Sequence, residues 1–181
     1  TNKKELISMS KNLIIYYSRK GENYVNGRIE KLSKGNTEIC AEFIQKAVGG
    51  ELFEVETESE YSADYHICTE EARAEFDSNS RPKLKNCLNS NAEYENIFIC
   101  GPCWWGTYPM AVFSLIEKLD FNGKNVLPLM THEGSCLGSS VRDLKKICKG
   151  ANVKTDLAVH GADALKSEKA VSNWAKESLS K

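Results

Sequence analysis

Short apolar runs alternating with apolar stripes four residues apart constrain this chain more than any other feature. Asn12–Tyr17 (NLIIYY) is nearly unbroken, the pattern of a strand covered on both faces. From Asn36, the stripes Ile39–Phe43–Ala47 and Cys40–Ile44–Val48 lie side by side on one helical face, and Gly49-Gly50 ends that helix. Glu51–Glu56 (ELFEVE) alternates and reads as a second strand, and Asn96–Cys100 reads as a third. A helix entering at Pro109, a residue suited to the first helical position, carries Val112, Phe113, Ile116 and Leu119. Asn125–Met130 (NVLPLM) is the fourth strand, although Pro128 is unwelcome in a central strand because it brings no ladder donor. Val141, Leu144 and Cys148 mark the next helix. A fifth strand falls near Val153–Val159, and Val171, Trp174, Ala175 and Leu179 mark the last helix.

Strands and helices in this alternation predict an α/β fold, a parallel sheet joined by right-handed crossovers. A chain of 181 residues suits one well-cored domain and is short for two. The connection Thr57–Tyr94 is long and is predicted to hold a helix around Ala63–Phe76. Such an excursion either decorates a fold or helps to shape a binding cleft.

A formal net charge of −1 gives no basic footprint for nucleic acid. No apolar run approaches the roughly 20 residues of a membrane span. The N-terminal TNKKELISMSK is polar and lacks the apolar core of a signal peptide. Residues 1–10 are expected to be a flexible or vector-derived extension, with Met9 as a candidate natural start. Seven cysteines spread through apparent helices and strands fit free thiols in a reducing cytoplasm better than a disulfide framework. His132 and Cys136 fall in a Gly-flanked loop, and no paired zinc-ligand spacing accompanies them, so no metal site is expected.

Cys100-Gly-Pro-Cys103 has the spelling of a dithiol active site, which needs an exposed first thiol at a helix N-terminus. Here Cys100 closes the apolar run of a strand, and Gly106 and Pro109 interrupt any helix begun at Gly101. The motif therefore reads as part of a strand-to-helix loop, with Cys100 buried and inert.

Open doubly wound sheets bind ligands outside the carboxyl ends of their strands. The loops there are Ser18-Arg-Lys-Gly-Glu-Asn-Tyr24, Gly101-Pro-Cys-Trp-Trp-Gly-Thr-Tyr108 and Thr131-His-Glu-Gly-Ser-Cys136, after the first, third and fourth strands. In this order the three loops resemble those of a flavodoxin, in the divergent branch that carries Trp-Trp-Gly and Thr-His-Glu-Gly-Ser loops. The resemblance covers nearly the whole chain from Lys11 onward, read as a single flavodoxin-like domain over residues 11–181. It implies a three-layer sandwich around a five-stranded parallel sheet in the order 2-1-3-4-5, an order flavodoxin itself serves to illustrate, with bound flavin mononucleotide (FMN).

A phosphate dianion wants hydroxyls, backbone N–H groups and a helix N-terminus. On the resemblance, Ser18, Asn36 and Thr37 meet the phosphate, with simple helix capping as the other reading of Asn36 and Thr37. Flavodoxins run this loop without interruption, whereas Glu22–Lys34 here separates Ser18-Arg-Lys-Gly21 from Gly35-Asn-Thr37. Arg19 and Lys20 are open to two readings, as charge for the phosphate or as solvated side chains. Pro102, Cys103, Trp104, Trp105 and Gly106 are implied at the isoalloxazine ring. The tryptophans offer stacking faces, with one of the two expected to pack into the core or onto a helix. Gly106 is implied as the residue whose peptide flips so that its carbonyl meets reduced N5, which glycine permits for want of a Cβ. Its replacement by alanine is expected to weaken the one-electron semiquinone. Thr131, His132, Glu133, Gly134 and Ser135 are implied at the ring edge, with His132 alternatively an acid–base residue.

Three functions are compatible with these residues. The first is a cytoplasmic carrier that passes electrons through bound FMN between partner proteins. The second is an FMN-dependent NAD(P)H quinone or flavin reductase, its substrate pocket built by the two long excursions. The third is a flavin-free binding module, raised by the split phosphate loop; fold alone does not decide among them.

Overall fold

Asn12–Tyr16 form β1, and its unbroken burial has a two-sided cause: Leu13 and Ile15 point into one core while Ile14 and Tyr16 point into another. This is a computed structural model, and it describes residues 11–181; the expected N-terminal extension and its Met9 start lie outside the described residues. After β1 the chain forms β2 (Gly21–Val25), β3 (Arg28–Leu32), α1 (Asn36–Val48), β4 (Glu51–Glu54) and α2 (Tyr65–Asp77). It continues through β5 (Asn96–Pro102), α3 (Met110–Ile116), β6 (Asn125–His132) and α4 (Ser140–Ile147). It ends with β7 (Asn152–Val153), β8 (Leu157–His160), a 3₁₀ turn (Gly161–Lys166) and α5 (Glu168–Leu179).

The main sheet is parallel in the order β4-β1-β5-β6, with β7 and β8 both pairing with β6. That is the 2-1-3-4-5 order with its fifth strand in two pieces. One face carries α3 and α4 over Ile97, Ile99, Val126 and Met130. The other carries α1 and α5 over Phe98, Cys100, Leu127 and Leu129. Helices on both faces of a parallel sheet make the three-layer α/β sandwich.

The break in the fifth strand explains how Pro128 sits in a central strand after all. Val126 pairs with Val153 and Leu129 with Leu157, so Leu127 and Pro128 lie opposite one residue too many. Lys154 N–H donates to Val126 O at 2.8 Å. Residues two apart turn their backbone groups the same way, so the donor-less nitrogen of Pro128 faces the interruption and no ladder bond is lost. The freed carbonyl of Thr155 accepts the indole N–H of Trp174 at 2.8 Å, which ties α5 to the break.

An asparagine ladder sets the register at the opposite end of the strands. Asn12, Asn96, Asn125 and Asn152 stand side by side on β1, β5, β6 and β7. Asn96 Nδ2 donates to Asn12 Oδ1 (2.9 Å), Asn125 to Asn96 (2.8 Å) and Asn152 to Asn125 (3.1 Å). Amides can pass hydrogen bonds along such a row because each is both donor and acceptor.

The Glu22–Lys34 interruption is a β-hairpin, β2–β3, outside the main sheet. Its turn is Asn26-Gly27, both at positive φ (48° and 86°), as a two-residue turn matched to strand twist requires. In the Thr57–Tyr94 excursion, α2 is capped by Asp64, whose Oδ1 accepts Ile67 N–H at 2.9 Å. Helix α3 stops at Ile116, short of the expected Leu119, which follows on a turn. Among the described residues, no helix is long and apolar enough to cross a membrane.

Candidate cofactor site

The loops leaving β1, β5 and β6 open on one cleft, and its first corner is the split loop. The hairpin lies along the cleft, with Tyr24 against Tyr65 and the Asn26 N–H on Glu133 Oε2, and leaves the two halves of the loop in contact. Ser18 Oγ accepts the Glu38 N–H at 3.0 Å. A Cβ on Gly35 would lie 2.1 Å from that oxygen and 2.7 Å from Arg19 O, so only glycine admits the approach. Gly35 is the N-cap of α1 and has no capping side chain, so Ser18 does the capping. Neither Asn36 nor Thr37 caps. Their amides belong to a first turn, which has no intrahelical acceptors, and stand at the positive end of the helix. Thr37 Oγ1 and Thr131 Oγ1 share a buried hydrogen bond of 2.8 Å. That bond uses one hydroxyl proton of the pair, and the other is left for an acceptor in the cleft.

Arg19 is a fastener. Its Nε donates to Glu22 O (2.9 Å), and its Nη2 donates to Ser62 O (2.9 Å) and Ala63 O (3.1 Å). The guanidinium thus ties the hairpin to the segment before α2, while Glu22 Oε2 accepts Tyr65 N–H at 2.8 Å. Lys20 is exposed and lines a hollow on the β4 side that also touches Ser18 and Arg19. Of the two readings of Arg19 and Lys20, solvation suits exposed Lys20, while Arg19 has a further role as a fastener through Nε and Nη2 at the edge of the cleft.

The cleft has two connected chambers, of about 120 and 270 Å³, that share Arg19, Asn23, Tyr65, Cys103 and Trp104. The first is lined by Ser18, Asn36, Thr37, Pro102, Thr131, His132 and Glu133 as well. The second is more apolar and lies between the tryptophan loop and α2, at Cys68, Thr69, Ala72 and Trp105. Trp104 is wedged edge-on against Tyr17 (5.1 Å) and Tyr61 (5.2 Å). Trp105 instead reaches to α2: its indole N–H donates to Thr69 O at 3.0 Å and the Arg73 guanidinium lies 4.7 Å from its ring.

Cys100 is fully buried in β5, and burial pushes its thiol well above the ordinary range. Burial also raises the Cys103 thiol. The Cys-Gly-Pro-Cys stretch is therefore no reactive dithiol. Gly106 lies outside both chambers. Its carbonyl accepts Ser139 N–H at 2.7 Å and Ser139 Oγ at 3.1 Å, so a peptide flip there would break both bonds. Gly134 N–H donates to His132 Nδ1 at 2.9 Å, which makes the imidazole a shaper of its own loop. The Gly134 backbone is at φ 136°, and Ser135 O accepts Gly138 N–H at 3.2 Å.

Residues not singled out from the sequence complete the walls. Tyr24 of the hairpin stacks on Tyr65 of α2, with centroids 6.1 Å apart and planes 23° apart. Gly161, after β8, opens the cradle beside α1. A Cβ there would lie 2.6 Å from Glu133 Oε1 and 2.7 Å from Asn36 Nδ2. Hydroxyls, free helix amides, that cradle and an aromatic-lined chamber suit a ligand with an anionic end, a hydroxylated middle and a flat apolar end. The residues present fit FMN.

A sequence model of the family described as Flavodoxin matches residues 31–178. A Bacteroides uniformis ATCC 8492 protein provisionally assigned as a flavoprotein is 29% identical, with a TM-score of 0.72, over 92% of this chain and 98% of that one. A similarly assigned protein from Bacteroides eggerthii DSM 20697 is 27% identical (TM-score 0.74), over 95% and 99%. A Lactobacillus acidophilus NCFM flavoprotein solved in complex with FMN is 22% identical (TM-score 0.60), over 87% and 97%, and shares the fold. No curated protein matches the chain. With its sheet order, its three post-strand loops and a family match over most of its length, the chain belongs to the flavodoxin family.

Proposed function

We propose that this protein binds FMN in the cleft and carries electrons through it between partner proteins in the cytoplasm. The observation that carries the reading is the contact of Ser18 with Gly35, which restores a continuous phosphate corner across the hairpin. The complex of the Lactobacillus acidophilus neighbour with FMN supports it. Bound FMN supplies reversible one- and two-electron chemistry. Ser18, the Asn36 and Thr37 amides and the spare Thr37–Thr131 proton would hold the phosphate. Trp104 and Tyr65 would flank the ring and exclude water from it. The seven free cysteines agree with a reducing compartment.

A second reading is favoured by the enclosure that the hairpin and α2 add. The Tyr24–Tyr65 pair and the chamber beside Trp105 suit a small planar substrate, as an NAD(P)H-dependent quinone or flavin reductase would need. The contact of Ser18 with Gly35 across the hairpin counts against a flavin-free module.

The test is the visible absorption spectrum of the purified protein before and after adding FMN. Flavin absorption, with FMN released on denaturation, is expected; a colourless protein that ignores FMN overturns the proposal. Stepwise reduction then separates the two readings. A carrier takes up electrons in two resolved one-electron steps and oxidises NAD(P)H slowly, whereas a reductase bleaches rapidly with NAD(P)H and turns over quinones.

A further inference from the structure

Glu133 is the one residue whose buried side-chain oxygen lacks a hydrogen-bond partner among the described residues. Its two oxygens are used differently. Oε2 accepts the Asn26 N–H at the hairpin tip (3.2 Å) and lies 3.3 Å from His160 Nε2, whose other ring nitrogen is 3.4 Å from Asp163. Oε1 meets nothing. It faces the Gly161 cradle, beside Asn36 at the start of α1.

A buried acceptor without a donor is costly, and a carboxylate oxygen more so than a neutral one. The position of Oε1 limits what can satisfy it. Glu133 lines the first chamber together with Asn36 and Thr37 at the start of α1, where a phosphate belongs, and with Tyr65 and Trp104, where a ring belongs. A phosphate dianion is itself an acceptor and repels a carboxylate. A hydroxyl donates, and the sugar-alcohol chain of FMN is the hydroxylated part between phosphate and ring. We propose that Glu133 Oε1 accepts a hydroxyl of this chain, making Glu133 the residue that selects flavins bearing a polyol side chain; the inference rests on the FMN reading above. The same carboxylate holds the hairpin tip through Asn26, so the bound chain and the hairpin share one anchor.

Simple electrostatics makes the opposite prediction, since removing a carboxylate near a phosphate should tighten FMN. The two effects separate with three ligands: FMN, riboflavin (polyol without phosphate) and lumiflavin (neither). Their dissociation constants are measured by flavin fluorescence for the full chain and for Glu133→Ala. The expected result is that FMN and riboflavin weaken by the same factor, about tenfold, the worth of one hydrogen bond to a charged acceptor, while lumiflavin is unchanged. Tighter FMN with riboflavin unchanged, no change in any ligand, or equal weakening of all three overturns the proposal. If Glu133→Ala does not fold, Glu133→Leu, which keeps the bulk and removes both acceptor oxygens, is judged on riboflavin and lumiflavin alone. Weaker riboflavin with unchanged lumiflavin supports the proposal, and unchanged riboflavin overturns it. A native protein that binds none of the three flavins overturns the FMN reading, and this inference with it.

Discussion

Ser18 Oγ accepts the backbone N–H of Glu38 at 3.0 Å, across twenty positions of sequence, so the loop leaving β1 caps α1 in place of the side chain that Gly35 lacks. A cap supplied from a distance couples the helix start to the strand end. Ser18→Ala should therefore lower stability by about 1 kcal/mol, the usual worth of a Ser cap, while Ser18→Thr should lose less. Urea denaturation measures both, and an unchanged midpoint in Ser18→Ala would show the cap to be idle.

The asparagine ladder predicts a graded series. Asn96 is buried and both donates to Asn12 and accepts from Asn125, so Asn96→Ala strands one acceptor and one donor. A loss of about 1–3 kcal/mol follows from leaving buried polar groups unpaired. Asn152 is exposed at the end of the row, and Asn152→Ala should cost well under half as much. Equal losses in the two variants would contradict the ladder.

Thiol labelling should sort the cysteines by burial. Cys87 and Cys136 are exposed and should react within minutes in the native protein. Cys40 and Cys100 are buried, and burial pushes both thiols up, Cys40 to about 11, so both should react only after unfolding. Rapid labelling of Cys100, or reduction of a disulfide substrate by the native protein, would revive dithiol chemistry for the Cys-Gly-Pro-Cys stretch.

Burial, aided by the neighbouring His160, holds the His132 imidazole below its ordinary value. Its Nδ1 accepts the Gly134 N–H, a bond that protonation there removes. A depressed folded value means that the unfolded chain takes up the proton first. The contribution is thus present above the ordinary value of 6.5 and is lost as pH falls through it toward the folded one. The native protein should lose stability from pH 7 toward pH 5 more steeply than His132→Ala. Denaturation midpoints at several pH values test this, and parallel curves for the two proteins would refute it.

Much of this protein was legible in its residues because burial writes a period into sequence. The doubly buried runs of β1, β5 and β6 and the four-residue stripes of α1 and α5 declared the sheet and its flanking helices. The Trp-Trp-Gly and Thr-His-Glu-Gly-Ser loops declared the family. The hairpin went unread as such, although Asn26-Gly27 between Glu22–Val25 and Arg28–Lys31 is a two-residue turn signal. What only the tertiary structure decided are contacts between residues distant along the chain. Pro128 is tolerated because a break in the neighbouring strand faces it. Arg19 is fastened to carbonyls more than forty positions away. Ser18 meets Gly35 across a hairpin, and Glu133 is left with one buried oxygen unpaired. Local sequence sets period, turn and cap preference, which act over a few residues. Which carbonyl, hydroxyl or carboxylate meets which donor depends on where the sheet order brings distant loops together.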